Sequence, residues 1–160
     1  MRKAILAITA LVTLTLGMFV VSAPPAWATT DDTAVTITAT PQSVNLPTLI
    51  TYTVKATVQP GSASMGGTVR ITFPNTALGM IGANDPSCVQ TGLRQVDCTY
   101  TSIAVGQAQT WYLQSNTALL GTLNIAVTAA QIDSAPIDVN SSNDSQTRTC
   151  TVVLSVITGC

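Results

Sequence analysis

The stretch Leu49 to Val58 limits what this chain can fold into more than any other. Ile50, Tyr52, Val54, Ala56 and Val58 alternate with Thr51, Thr53, Lys55 and Thr57 in a strict period of two. That period puts the apolar set on one face of a half-buried β-strand, whereas a helix would scatter it around its axis. The β-branched and aromatic side chains agree, because they pack well on a pleated surface. One face of this strand therefore requires a second layer to cover it.

The same grammar recurs along the chain. Ala34 to Thr40 carries Val35 and Ile37 on one face, and Thr68 to Phe73 alternates Val69, Ile71 and Phe73 with Thr68, Arg70 and Thr72. In Ala108 to Ser115, Trp111 and Leu113 share the side expected to face inward, with Thr110 and Tyr112 on the other. Gly121 opens a strand with Leu123, Ile125 and Val127 inward. Turn-rich segments separate these strands: Pro41 to Pro47, Gln59-Pro-Gly-Ser-Ala-Ser-Met-Gly-Gly, and Val105-Gly106-Gln107. Asn75 to Pro86 shows no firm periodicity and reads as a crossing loop with at most a short strand near Leu78 to Ile81. Ser87 to Tyr100 reads as a hairpin turning at Thr91-Gly92, where glycine supplies a positive φ, with Val96, Cys98 and Tyr100 on one face. A polar loop, Gln131 to Ser145, leads to a last strand at Gln146 to Ile157. With no helix-length periodic segment, this pattern specifies an all-β antiparallel sandwich.

Residues 1–28 have the form of a secretory signal peptide: Arg2 and Lys3, an apolar run from Ala4 to Val21, and Ala26-Trp27-Ala28, with cleavage expected between Ala28 and Thr29. The apolar run is long enough to span a bilayer, which takes about 18 residues, but Pro24, Pro25 and the small-x-small ending favour cleavage. No cysteine follows the site, which speaks against lipoprotein attachment. Residues 29–33 then form a loose leader and 34–160 a single domain, enough to bury roughly two thirds of its unfolded surface. Without Arg2 and Lys3, four basic residues oppose seven aspartates, a net charge of −3. Nucleic acid and anionic membrane surfaces are poor partners for that balance.

Taken in order, a Thr-rich first strand, Pro41-Gln-Ser-Val, Ile50-Thr-Tyr-Thr-Val, Val69-Arg-Ile-Thr-Phe-Pro, a Cys…Val-x-Cys hairpin, Ala104-Val-Gly-Gln, Gly121-Thr-Leu and Asn140-Ser-Ser-Asn-Asp-Ser form a recognisable series. It resembles the bacterial surface-protein repeat domain numbered eleven among the domains of unknown function, over Ala34 to Val153. The resemblance implies an immunoglobulin-like sandwich, structural or adhesive work on cell envelopes or in secreted proteins, and no catalytic residues. Family members often carry Asn-x-Gly-Pro where this chain has Gln59-Pro-Gly-Ser, and commonly occur as tandem repeats, where this chain has one copy.

Cys88 and Cys98 stand at mirrored places on the two hairpin arms, so oxidising export makes a disulfide the expectation. Closing that loop of about ten residues stabilises by roughly 2.7 kcal/mol on the chain-entropy model. Nine intervening residues fit neither a Cys-x-x-Cys redox centre nor a zinc knuckle, and the chain has no histidine. Cys150 and Cys160 pair by elimination. A continuous strand would hold them roughly 33 Å apart, so pairing requires the tail to fold back, and a free or intermolecular Cys160 stays open.

Asp133, Asp138, Asn140, Asn143 and Asp144 form the most oxygen-rich stretch, yet no calcium-loop spacing is met and a solvated loop is the plainer reading. Asn140 and Asn143 each head an Asn-x-Ser sequon, relevant only in a eukaryotic secretory route. Lys55 points with the threonines, away from the buried acid that an intramolecular isopeptide bond would need, and reads as a surface charge. With no histidine, no glutamate and no partnered nucleophile, the chain is ill-equipped as an enzyme, and no cofactor is expected. Trp111 and Tyr112 could stack on a sugar, but one tryptophan on a period-two strand is core. The expectation is a monomeric, secreted or cell-surface module whose partners are other surface proteins or envelope polymers. The alternative is a small-ligand carrier resembling the immunoglobulin-like apoproteins of chromoprotein antibiotics, which would require a preformed apolar pocket.

Overall fold

The computed structural model of the chain describes residues 30–42, 49–74, 77–81, 85–117, 122–153 and 156–160. The expected signal peptide, its cleavage site at Ala28 and Thr29, and the Pro41 to Pro47 turn beyond Gln42 lie outside those residues. The strands, in chain order, are β1 (Thr33–Gln42), β2 (Leu49–Val58), β3 (Met65–Thr72), β4 (Ala77–Ile81), β5 (Cys88–Gly92), β6 (Gln95–Ile103), β7 (Ala108–Thr117), β8 (Thr122–Ala135), β9 (Ser145–Val153) and β10 (Val156–Gly159). They build an antiparallel β-sandwich. One sheet has the order β1-β2-β7-β4 and the other β10-β9-β8-β3-β6-β5.

β2 behaves as its periodicity dictates. Ile50, Tyr52, Val54, Ala56 and Val58 are buried, and Lys55 between them is exposed. β1 and β7 flank it in register, with Ile37 and Trp111 both opposite Val54. The facing sheet contributes Val69 and Ile71 from β3, Val96, Cys98 and Tyr100 from β6, Ile125, Val127 and Ala129 from β8, and Cys150 and Val152 from β9. Leu123 is only half-buried. Tyr52 meets Phe73 edge-on at 5.7 Å, and Trp111 lies 6.1 Å from Tyr100. Such contacts add to the area buried by these large rings. The Trp111 indole N–H donates to Ser87 Oγ at 3.0 Å, and Ser87 in turn donates to Asp85. Positive φ occurs at Gly61 in the β2–β3 loop and at Gly106 in the β6–β7 turn, conformations that glycine adopts without steric cost.

Four details depart from the sequence reading. The β5–β6 turn falls at Leu93 and Arg94, because a bulge at Thr91 leaves Gly92 inside β5, opposite Gln95. β8 continues to Ala135, through the first third of the segment expected to be loop. The expected single last strand is two, because the chain reverses after Val153 and β10 pairs back onto β9. Residues 30–33 are held rather than loose. Asp31 and Thr33 are buried, Gln59 N–H donates to the Asp32 carbonyl, and Ser62 Oγ accepts from the Asp32 N–H. An apolar pattern could not foretell this, because polar groups do the holding.

Candidate functional site

Along β8 the inward positions are Ile125, Val127 and Ala129, which places Gln131 next in the series. There the pairing with β3 slips: Val69 opposes Gln131 and Thr68 opposes Asp133, leaving Ile132 as an extra residue. Bulges of this kind locally increase strand twist and re-aim side chains. Ile132 is 46% exposed and Ile137 79%, while Gln131 accepts the Tyr100 phenol O–H at 3.1 Å. Gly67 makes room for this crossing. A Cβ there would lie 2.5 Å from the Asp133 carbonyl oxygen and 2.9 Å from the Tyr100 hydroxyl.

β8 ends at the cis Ala135–Pro136 bond, and the chain returns through 136–144 across the start of β1. Asp138 organises the return by accepting from Thr33 N–H at 2.6 Å, Asn140 N–H at 2.8 Å and Gln131 Nε2 at 3.4 Å. Asp32 accepts from Asn140 Nδ2 at 3.1 Å and Asn143 Nδ2 at 2.8 Å. Main-chain bonds close the seam: Val35 N–H donates to the Asn143 carbonyl, Gln131 N–H to that of Asp144, and Val139 N–H to that of Asp31. Asp31, Asp32, Asp133, Asp138 and Asp144 are thereby gathered at one end of the sandwich.

Between β8 and the returning loop lies an open groove of about 330 Å³, lined by Gln131, Ile132, Asp133, Ser134, Ile137, Asp138 and Asp144. Its electrostatics are unbalanced. Burial, then the neighbouring Asp138 and Asp32 carboxylates, push the Asp144 carboxyl up to about 6. When Asp144 is protonated it can donate to Asp138; ionised, its fully shielded Oδ1 has no donor, and Asn143 Oδ1 is likewise buried without one. Arg70 is bound to Asp97 at 2.8 Å, Arg94 donates to the Pro74 carbonyl, Arg148 donates to the Cys160 carbonyl, and Lys55 is exposed on β2. Among the described residues no ion pair involves the five aspartates of this end, and no group of three or more Asp, Glu, Cys or His side chains is placed to hold a metal ion.

The sandwich is similar to a solved adhesin. That structure is the crystal structure of the Actinomyces fimbrial adhesin FimA, 16% identical to this chain with a TM-score of 0.50, the match covering 75% of this chain. The same match spans 56% of the adhesin chain. A likeness at that identity shows the fold alone. No family model matches the chain, and neither does any curated protein.

The other residues singled out from sequence fall elsewhere. Cys88 and Cys98 are directly opposed on β5 and β6 and are bonded to each other. Cys150 and Cys160 are bonded across the β9–β10 reversal, the fold-back that their spacing requires. Trp111 is wholly buried, whereas Tyr112 is 60% exposed on the outer face of β7. Of the oxygen-rich stretch, Asp138, Asn140, Asn143 and Asp144 come together, and Asp133 joins them from β8. Sequence reasoning missed Asp31, Asp32 and Thr33, which arrive from the other end of the domain. The one signal for them was two adjacent aspartates just before a strand whose own face is apolar.

Proposed function

We propose that this chain is a secreted, non-catalytic structural or adhesive domain of the bacterial cell envelope or exterior, of the kind represented by the surface-protein repeat domain it resembles. The observation that carries this reading is where the sandwich presents its recognition chemistry. A carrier for an apolar guest needs a pocket within an apolar interior, but here Trp111, Tyr52, Met65 and Leu113 fill the space between the sheets. The open groove instead lies at a sheet margin, lined by two isoleucines, three aspartates, Gln131 and Ser134, which suits contact with another macromolecule. The likeness to a fimbrial adhesin fold is in keeping with it. Two measurements on the producing bacterium test the proposal: surface proteolysis with fractionation, and adhesion of a deletion strain. Surface-exposed protein and impaired attachment are expected. Native mass spectrometry of protein from the same cells supplies the overturning result, a stoichiometric small-molecule adduct, which would favour the carrier.

A further inference from the structure

We propose that the Cys88–Cys98 disulfide is a redox-sensitive latch on the edge strand β5: reduction by a dithiol releases residues 88–93 from the sheet, while the Cys150–Cys160 bond at the opposite margin stays closed.

The two bonds join similar pairs but hold different strands. β5 ends the six-stranded sheet and, among the described residues, pairs only with β6. It sends no buried side chain inward: Val89, Gln90 and Thr91 are exposed, and Cys88, half-buried, is the residue through which it packs against the core. Its ladder is also interrupted by the bulge at Thr91. β10 has anchors of its own. Ile157 packs against the core, Thr158 Oγ1 donates to the Thr151 carbonyl at 3.2 Å, and the Cys160 carbonyl accepts from Arg148 at 2.6 Å. A strand that leaves the sheet on reduction carries its thiol away from its partner, which favours the reduced form; a strand that stays keeps both thiols together, poised to close again.

The exchange balances in two steps. A thiolate of the dithiol attacks the sulfur of Cys88, the accessible partner since Cys98 is wholly buried, and Cys98 leaves as a thiolate that takes up a proton. The second thiol of the reagent then displaces Cys88, leaving two cysteine thiols and a cyclic disulfide, so two electrons and two protons pass from the dithiol to the pair. Release has fixed limits. The Ser87 carbonyl accepts from Thr99 N–H and its Oγ from the Trp111 indole, while the Arg94 carbonyl accepts from Phe73 N–H. Because Thr99 turns its N–H toward β5, the main-chain groups of Asp97 and Gln95 turn the same way, and release of 88–93 uncovers them. Folded proteins keep such edges covered.

The test titrates native, ¹⁵N-labelled protein with dithiothreitol, then acid-quenches, denatures and alkylates samples for peptide mass spectrometry. Cys88 and Cys98 should be labelled at about three- to tenfold less reagent than Cys150 and Cys160, roughly what half-burying Ile157 contributes. Amide exchange read by NMR then follows the Cys88→Ala, Cys98→Ala double variant. The Val89 and Asp97 amides should exchange about a hundredfold faster than in the oxidised wild type and without dependence on low urea, whereas those of Val54 and Val127 exchange through global unfolding. A bond that only stabilises the whole fold would speed all of these together, and that result overturns the latch. Reduction of both bonds at the same reagent concentration, or of Cys150–Cys160 first, overturns it as well. Cys88→Ala alone, which leaves the Cys98 side chain in the core, supplies the same exchange reading if the double variant does not fold.

Discussion

Replacing Asp144 with asparagine perturbs one carboxyl in a chain whose titration between pH 4 and 7 is otherwise sparse, since it has no histidine. Burial and the Asp138 and Asp32 carboxylates push Asp144 from the usual 3.8 up to about 6. A folded state that holds a proton more tightly than the unfolded chain is favoured where that proton is bound. The contribution of Asp144 is therefore fully present below pH 3.8 and is lost as pH rises through about 6. The full linkage amounts to about 3 kcal/mol. Residual solvent contact and relaxation of the loop reduce this to ~1–2 kcal/mol. Asp97 acts in the opposite sense, because its hydrogen bonds with Arg70 hold it below the usual range; its contribution is lost only as pH falls below that range, outside this interval. About a third of that contribution is already lost by pH 4.5, so the wild-type protein should be more stable at pH 4.5 than at pH 7.5 by ~1 kcal/mol. Asp144→Asn keeps the shape and the ability to donate to Asp138, so it should remove most of the difference by raising stability at pH 7.5. Urea unfolding followed through Trp111 fluorescence at both pH values measures all four free energies. A wild-type protein equally stable at both, or a variant that keeps the slope, would refute this account. Asp138→Asn is no substitute, because it removes the acceptor for Thr33 and Asn140 N–H.

The remaining predictions concern the scaffold. Changing Cys88 and Cys98 together to alanine should cost about 2–3 kcal/mol, and likewise Cys150 with Cys160, since each bond spans a sequence separation of 10. The bonds lie at opposite margins of the six-stranded sheet, so chemical denaturation of the quadruple variant should give the sum of the two. Tyr52→Phe should leave stability unchanged or raise it by up to ~1 kcal/mol, because it deletes a buried hydroxyl that lacks a well-formed partner; a clear loss in urea unfolding would mean that the hydroxyl is satisfied. Gly67→Ala should destabilise by about 1–3 kcal/mol, because the added methyl meets a backbone carbonyl. It should also shift the amides of Asp133 and Ser134, detectable in the same NMR spectra.

The sandwich was legible wherever a strand has one wet face and one dry face. Tyr52, Trp111 and Ile125 are inward because period two leaves them nowhere else to go. Legibility failed where the pairing departs from regularity. Thr91-Gly92 resembles a turn in composition, but a cross-strand Cys88–Cys98 pair centres its hairpin on Leu93, so the cysteine spacing held the better information. The end of β8 was hidden for a related reason, because Gln131 to Ala135 is too polar to read as strand. It is a strand nonetheless, paired to β3 through main-chain bonds that side-chain pattern does not report.

The acidic groove was half legible, and the missing half explains its chemistry. Asp133 to Asp144 is visible as one oxygen-rich stretch, and taken alone it reads as a solvated loop whose charges face water. Antiparallel closure changes that. β1 must lie against this loop to cover its apolar face, and it carries Asp32 and the Thr33 N–H with it, so Asp138 becomes a structural acceptor while Asp144 loses water and acquires anionic neighbours. Local sequence would have spread these carboxylates apart; the packing of Val35 and Ile37 draws them together. Crowding of this kind opposes folding once the carboxylates are ionised. The seam is therefore held by Asp32 and Asp138 as hydrogen-bond acceptors, while the ionised Asp144 beside them works against it.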